Sequence, residues 1–340
     1  MKKNVFSCSL LAALTLIAFS SCDNDDDNDS GINTIKSSQL YVSNNSDGNI
    51  TVLDILSGEI KTLTTTSTAA EGIYYDAAID EVIQASRSSN QLNVYSDIST
   101  FLASATISAT VSSASDLQSP RDIAVYNDIV VVSDNSDVDG DTTTPDGRLF
   151  VYTKTNGTLT LRNIVITDFA LWGIEFVNGD LYAVVDKTNE LAVYTNFTTM
   201  NTTNAAVSAS KRIAIEGIVR THGLAYDNGT MILTDVGDAA SDSDGVFHII
   251  SDFENKFDTV NNGDTMAVAN NQVRVAGSNT LLGNPVAAEY DATTKTVFIA
   301  EAANGGGRVL SFSNSTIGGD LSPTINTSLA MASSLYFYAN

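Results

Sequence analysis

One short pattern recurs six times along this chain and limits its fold more than any other feature. A small or polar residue is followed by alternating apolar positions and closed by an Asp or Asn turn. It reads Glu71-Gly72-Ile73-Tyr74-Tyr75-Asp76, Arg121-Asp122-Ile123-Ala124-Val125-Tyr126, Trp172-Gly173-Ile174-Glu175-Phe176 and His222-Gly223-Leu224-Ala225-Tyr226-Asp227. Weaker copies stand at 286–291 and 333–338. The period is about 50 residues, stretched once to about 64 by an insertion before Asn284, a spacing that suits the blades of a propeller.

Each copy has the same sequel. A turn such as Asn178-Gly179 or Asn228-Gly229 leads into an apolar strand, at 181–185, 231–234 and 297–300. A polar loop follows, then a third strand with period-two alternation, at 149–152, 191–194, 246–250 and 309–312. A fourth, less regular strand completes the unit, as at 159–166. Period-two alternation broken by turn residues reads as antiparallel sheet, and four strands per repeat as one blade. Residues 40–63 supply a second, third and fourth strand without a first, and the chain ends on a lone first strand at 335–338. The two fragments make one blade, which covers edges that would otherwise aggregate. The expected fold is therefore all-β, a six-bladed β-propeller of four-stranded antiparallel blades, closed by the C-terminal strand joining the N-terminal blade. The strands resemble those of the NHL- and YVTN-repeat propellers and, more distantly, the gluconolactonase-like six-bladed enzymes.

Residues 1–21 carry Lys2 and Lys3, an apolar run from Leu10 to Phe19, then Ser20 and Ser21. That order is a secretory signal peptide and stands outside the fold. Phe19-Ser20-Ser21-Cys22 resembles the bacterial lipobox, which implies cleavage before Cys22 and its lipidation. Residues 22–32 are an acidic tether with a block of like charge, expected to stay extended, and residues 33–340 form the propeller. Acidic residues directly after the lipidated cysteine resemble the surface-export signal of Bacteroidetes lipoproteins. The expected address is the outer membrane, lipid-anchored and facing outward, with a periplasm-facing anchor as the alternative.

Cys8 leaves with the signal and Cys22 goes to lipid, so disulfides, cysteine-bound metals and cysteine nucleophiles are excluded. A net charge of -23 argues against nucleic acid and anionic lipid surfaces as partners; the lipid anchor is the expected membrane contact.

The residues opening the six first strands, Glu71, Arg121, Trp172, His222, Val286 and Ser333, are expected to ring one mouth of the channel. The first four form a candidate polar ligand site; pairing of Glu71 with Arg121 is the alternative. A second ring, Asn44, Ser86, Asp134, Asp186, Asp235 and Glu301, is expected to accept backbone N–H groups at the turns. In the loop after the second strand of the Arg121 copy, Asn135, Asp137, Asp139 and Asp141 place oxygen ligands at alternate positions, with Gly140 at the turn and Asp146 at the twelfth position. That spacing points to calcium, with a solvated acidic loop as the alternative. Asp238, Asp242 and Asp244 form a looser second candidate. Both loops are expected on the face of the channel ring, which should be strongly negative.

HExxH, GxSxG and nucleotide-binding glycine loops are all missing. Besides a purely structural cell-surface protein, which fits the address equally well, the sequence leaves two functional readings. One is a binding module for a small molecule, glycan or protein. The other is a metal-dependent hydrolase or lactonase, because the gluconolactonase resemblance implies a metal-holding Glu that Glu71 matches by position. Trp172 and His222 stand where that family has Asn or Asp.

Overall fold

The computed structural model describes residues 37–141, 143–155 and 157–340. The signal, Cys22 and the acidic tether lie outside the described residues. Six sheets form six blades. Blade 1 is made of Ala332–Ala339, Ser38–Asn44, Ile50–Asp54 and Ile60–Thr64, so the two ends of the propeller share one sheet. Antiparallel pairs run from Ser38↔Ala339 to Asn44↔Ala332 and close the ring. Blades 2 to 6 open with Ala70–Asp76, Pro120–Tyr126, Leu171–Val177, Thr221–Asp227 and Pro285–Asp291. These are the recurring motifs of the sequence, each at the inner edge of its blade. Each packs on the innermost strand of the next blade, and the six complete a circle.

Close approach in that circle explains the small residue at the motif's second position. A Cβ on Gly173 would sit 2.7 Å from the carbonyl oxygen of His222, and one on Gly223 would sit 2.6 Å from Cα of Ala287. Backbone atoms cannot swing aside, so a side chain there would spread the ring.

The apolar core is divided among the blade interfaces. One buried cluster joins Val131, Val151 and Val165 of blade 3 to Leu181, Ala183 and Tyr194 of blade 4, and the other five interfaces have their equivalents. Alternation explains this: each central strand sends successive side chains to opposite faces, and both faces are covered by neighbouring blades.

Three blades carry a fifth, outermost strand beyond the expected four. In each case the next blade reaches back during the connection from its third to its fourth strand. Ala105–Thr106 of blade 2 pairs in parallel with blade 1, Ala205–Ala206 of blade 4 with blade 3, and Thr265–Met266 of blade 5 with blade 4. Blade 6 makes a single bridge of this kind, Val275↔Gly319. Each reaching connection starts with a short helical turn entered through a left-handed Asp or Asn: Asp97, Asn196, Asp252 and Asn314. Asp and Asn tolerate that conformation better than other side chains. The signal is visible in sequence as Tyr95-Ser96-Asp97-Ile98, Tyr194-Thr195-Asn196-Phe197, Ile250-Ser251-Asp252-Phe253 and Phe312-Ser313-Asn314-Ser315.

Candidate functional site

Glu71, Arg121, Trp172, Val286 and Ser333 line one cavity of about 170 Å³ at the face where the first strands begin. Glu71 is only 2% exposed, and its Oε1 accepts from Asn45 Nδ2 at 2.6 Å, Arg121 Nη1 at 3.1 Å and Arg87 Nη1 at 3.3 Å. Burial pushes this carboxyl up, while Arg121, Asn45 and Arg87 pull it back. Arg121 also lies over Trp172, with Cζ 4.1 Å from the ring centroid. His222 stacks on the same indole at 3.9 Å and 4° between planes. Both faces of Trp172 are therefore covered, and only its edge is open to a ligand.

The stack continues to Asp186, the member of the second ring that meets His222 and Arg220. His222 Nε2 accepts from Arg220 Nε at 3.1 Å and lies 3.3 Å from Asp186 Oδ1. Arg220 Nη2 reaches the same oxygen at 3.5 Å. At Asp186 burial works upward, but the neighbouring His222 and the charge of Arg220 outweigh it and hold the group below its ordinary value. Burial pushes the His222 imidazole down. The other members of the second ring serve backbone. Asp134 Oδ2 accepts from Gln118 N and Ser119 N at 2.7 Å, Asp235 from Val219 N and Arg220 N, and Glu301 from Gly283 N and Asn284 N.

The loops between second and third strands emerge on this same face, since the end of the second strand at Asp134 pairs with the start of the first at Pro120. Asp137, Asp139 and Asp146 each offer an oxygen within 4.8 Å of the others. Asp146 also accepts from Val138 N at 2.6 Å, which ties the two ends of the loop together. Asp141 turns away and accepts from Thr143 N and its hydroxyl. Asn135 is half-buried at the start of the loop. Asp238, Asp242 and Asp244 do not converge. Asp244 accepts from Asp238 N, Asp238 accepts from Ala240 N, and the Asp242 carbonyl accepts from Asn304. The face is acidic at its rim, but its centre carries Arg87, Arg121 and Arg220 against Glu71 and Asp186.

Three carboxyls inside the channel were not singled out from sequence: Asp122, Glu175 and Glu289. They line a larger cavity of about 500 Å³ that runs toward the opposite face. Asp122 accepts from Ile123 N at 2.9 Å and Ile174 N at 3.0 Å, and Glu175 from Phe176 N at 3.0 Å. Burial pushes Asp122 up to about 7 and Glu175 up to about 8, and raises Glu289 well above its ordinary value. The signal was in the motif itself. An acid occupies the second position of the blade 3 copy and the fourth position of the blade 4 and blade 6 copies, where the others are small, apolar or aromatic.

No family model and no curated protein matches the chain. Among solved structures, a chain of a nidogen/laminin complex superposes with a TM-score of 0.56 at 13% identity, covering 88% of this chain and 98% of the other. A Bacteroides fragilis NCTC 9343 chain provisionally named a 6-phosphogluconolactonase also gives 0.56, at 9% identity, covering 92% and 100%. Likeness at this identity shows the six-bladed β-propeller fold and does not choose between the two neighbours' activities.

Proposed function

We propose that this chain is a lipoprotein of the outer membrane, anchored through Cys22 and displayed outward, whose propeller is a non-catalytic binding module. Its ligand, a small molecule, glycan or protein, is taken on the face where the first strands begin. The observation that carries this reading is the environment of Glu71. The carboxylate that a gluconolactonase-like mechanism would need for its metal is engaged by one amide and two guanidinium groups. A cation beside it would meet Arg121 and Arg87 first and be repelled. One structural neighbour belongs to a protein–protein complex and the other carries a lactonase name, so both readings have a precedent in fold. The occupied Glu71 favours binding.

Calcium belongs to the same proposal. Asp137, Asp139 and Asp146 would hold it, with oxygen ligands of the kind calcium prefers. A bound ion would relieve the repulsion of three close carboxylates and stiffen the ligand face.

The reading is tested on the compact unit, residues 35–340. Calcium titration by calorimetry should show saturable heat and a higher melting temperature, both abolished by Asp137→Ala with Asp139→Ala. A panel of lactones assayed with calcium, magnesium and zinc should show no turnover. Metal-dependent turnover that disappears in Glu71→Gln would overturn the binding reading in favour of the hydrolase. For the address, Cys22→Ala should abolish incorporation of labelled fatty acid, and protease added to intact cells should digest the propeller.

A further inference from the structure

The inner cavity is unusual in its charge. Among the described residues, five carboxylic residues line it, Asp122, Glu175, Asp227, Glu289 and Asp291, and no lysine, arginine or histidine does. None of the five forms an ion pair with another lining residue, and Asp122, Glu175 and Glu289 form none at all among the described residues. The lining narrows to Ala124 at the fourth motif position of blade 3, where blades 2, 4, 6 and 1 bring Tyr74, Glu175, Glu289 and Tyr336 to the chamber. Two touching tyrosines, Tyr74 and Tyr336 of adjacent blades, thus share one chamber with the acids of blades 3, 4 and 6. Ser334, only 2% exposed, also lines it, and its hydroxyl has no hydrogen-bond partner among the described residues.

We propose that this chamber binds an organic cation with more than one ammonium group, a linear di- or polyamine that enters from the face opposite the arginine-bearing mouth. The site goes beyond the binding face proposed above and stands or falls independently of it. The spacing of the carboxyls selects the ligand class. The oxygens of Asp122, Glu175 and Glu289 do not come within 4.8 Å of one another as a set, whereas those of Asp137, Asp139 and Asp146 do. A dehydrated metal ion cannot take three such carboxylates at once. Ammonium groups spaced along an alkyl chain can reach them separately, and the rings of Tyr74, Tyr226 and Tyr336 suit an alkylammonium through cation–π contact.

Protonation fits this exchange. Burial, with repulsion from Glu71 at Asp122 and from Asp122 at Glu175, holds protons on these carboxyls near neutrality, at about 7 for Asp122 and about 8 for Glu175. An arriving ammonium favours the ionised carboxylates, so binding releases protons and tightens as pH rises. The groups facing one another across the chamber are Asp122, Glu175, Glu289, Asp227 and Asp291, with Tyr74, Tyr226, Tyr290, Tyr336 and Tyr338; no basic group opposes them.

The experiment is calorimetric titration of spermidine into the full chain at about 0.15 M salt, which screens diffuse attraction to the acidic surface. The expected result is saturable binding that strengthens about tenfold between pH 6 and pH 9, with proton release seen as a dependence on buffer ionisation heat. Glu175→Gln with Glu289→Gln should weaken it by at least about tenfold. Ala124→Leu, which fills the chamber without changing charge, should do the same. Circular dichroism confirms that each variant is folded. Absence of saturable heat at pH 9, or binding untouched by both variants, would overturn the proposal. Calcium or magnesium binding lost in the Glu175→Gln, Glu289→Gln variant would replace the organic cation by a hydrated metal and overturn it as well.

Discussion

Trp172 and His222 stack at 3.9 Å with their rings 4° from parallel, and this pair joins blade 4 to blade 5 at the channel mouth. Arg121 of blade 3 covers the other face of the indole. One side chain thus links three blades, and through Arg121 the link extends to Glu71 of blade 2. Trp172→Ala removes both contacts and should lower stability by about 2–4 kcal/mol, measured by urea denaturation. Trp172→Phe should recover part of the loss.

The Glu71–Arg121 pair makes a second test. With Glu71 at 2% side-chain exposure and Arg121 at 12%, either charge left alone is poorly solvated. Arg87 stands by as a second partner for Glu71, so removing Arg121 should cost less than removing Glu71. Glu71→Ala is expected to destabilise by about 3 kcal/mol and Arg121→Ala by somewhat less. A double-mutant cycle should show strongly non-additive losses, and additive losses would mean that the pair is not coupled.

The channel carboxyls give a pH dependence of defined sign. Their folded pKa values lie above the ordinary ones, at about 7 for Asp122 and about 8 for Glu175, with Glu289 also raised. The folded chain therefore keeps protons that the unfolded chain has already lost. The stability these groups contribute is present at low pH and disappears as pH rises through the folded values. His222 and His248 are pushed down by burial, so their contribution has the opposite sign and is complete above the ordinary imidazole value of about 6.5. In the absence of a cation, these groups should make stability fall as pH rises from about 4 to about 8. Glu175→Gln with Glu289→Gln should flatten that fall and stabilise the protein at pH 9 by about 1–3 kcal/mol, allowing for water in the channel.

The ring closure can be cut at one point. Ending the chain after Met331 deletes Ala332–Ala339, strips blade 1 of its innermost strand and uncovers Leu40, Val42 and Val286. Such a chain should aggregate on expression. A synthetic peptide spanning residues 332–340 should restore a cooperative melt if added during refolding. A soluble, cooperatively melting truncation would mean that the closure is dispensable.

The innermost circle has little room. Gly223→Ala places a methyl group 2.6 Å from Cα of Ala287 and should cost about 1–3 kcal/mol by forcing blades 5 and 6 apart. Thermal denaturation is sufficient to detect it.

Much of this architecture is legible one residue at a time. Strand alternation, turn residues and the roughly 50-residue period are local properties, so the copies at Glu71, Arg121, Trp172 and His222 disclose six blades before any contact is known. The missing first strand before Leu40 and the lone one at Leu335 likewise disclose the closure. The repeated Asp or Asn that starts each reaching connection, from Asp97 to Asn314, was equally present and marks the fifth strands. The sites were less legible. Calcium spacing around Asp137 placed five candidate oxygens in a row, but only folding decided that Asp146 turns in and Asp141 turns out. Only the closed ring set Arg121 between Glu71 and Trp172, and only the ring brought Asp122, Glu175 and Glu289 around one chamber. Those residues come from different blades, more than a full repeat apart for the glutamates. A strand's own sequence determines which side chains share a face. Which faces then converge, and which charges are buried together, depends on how all six blades curve around a common axis.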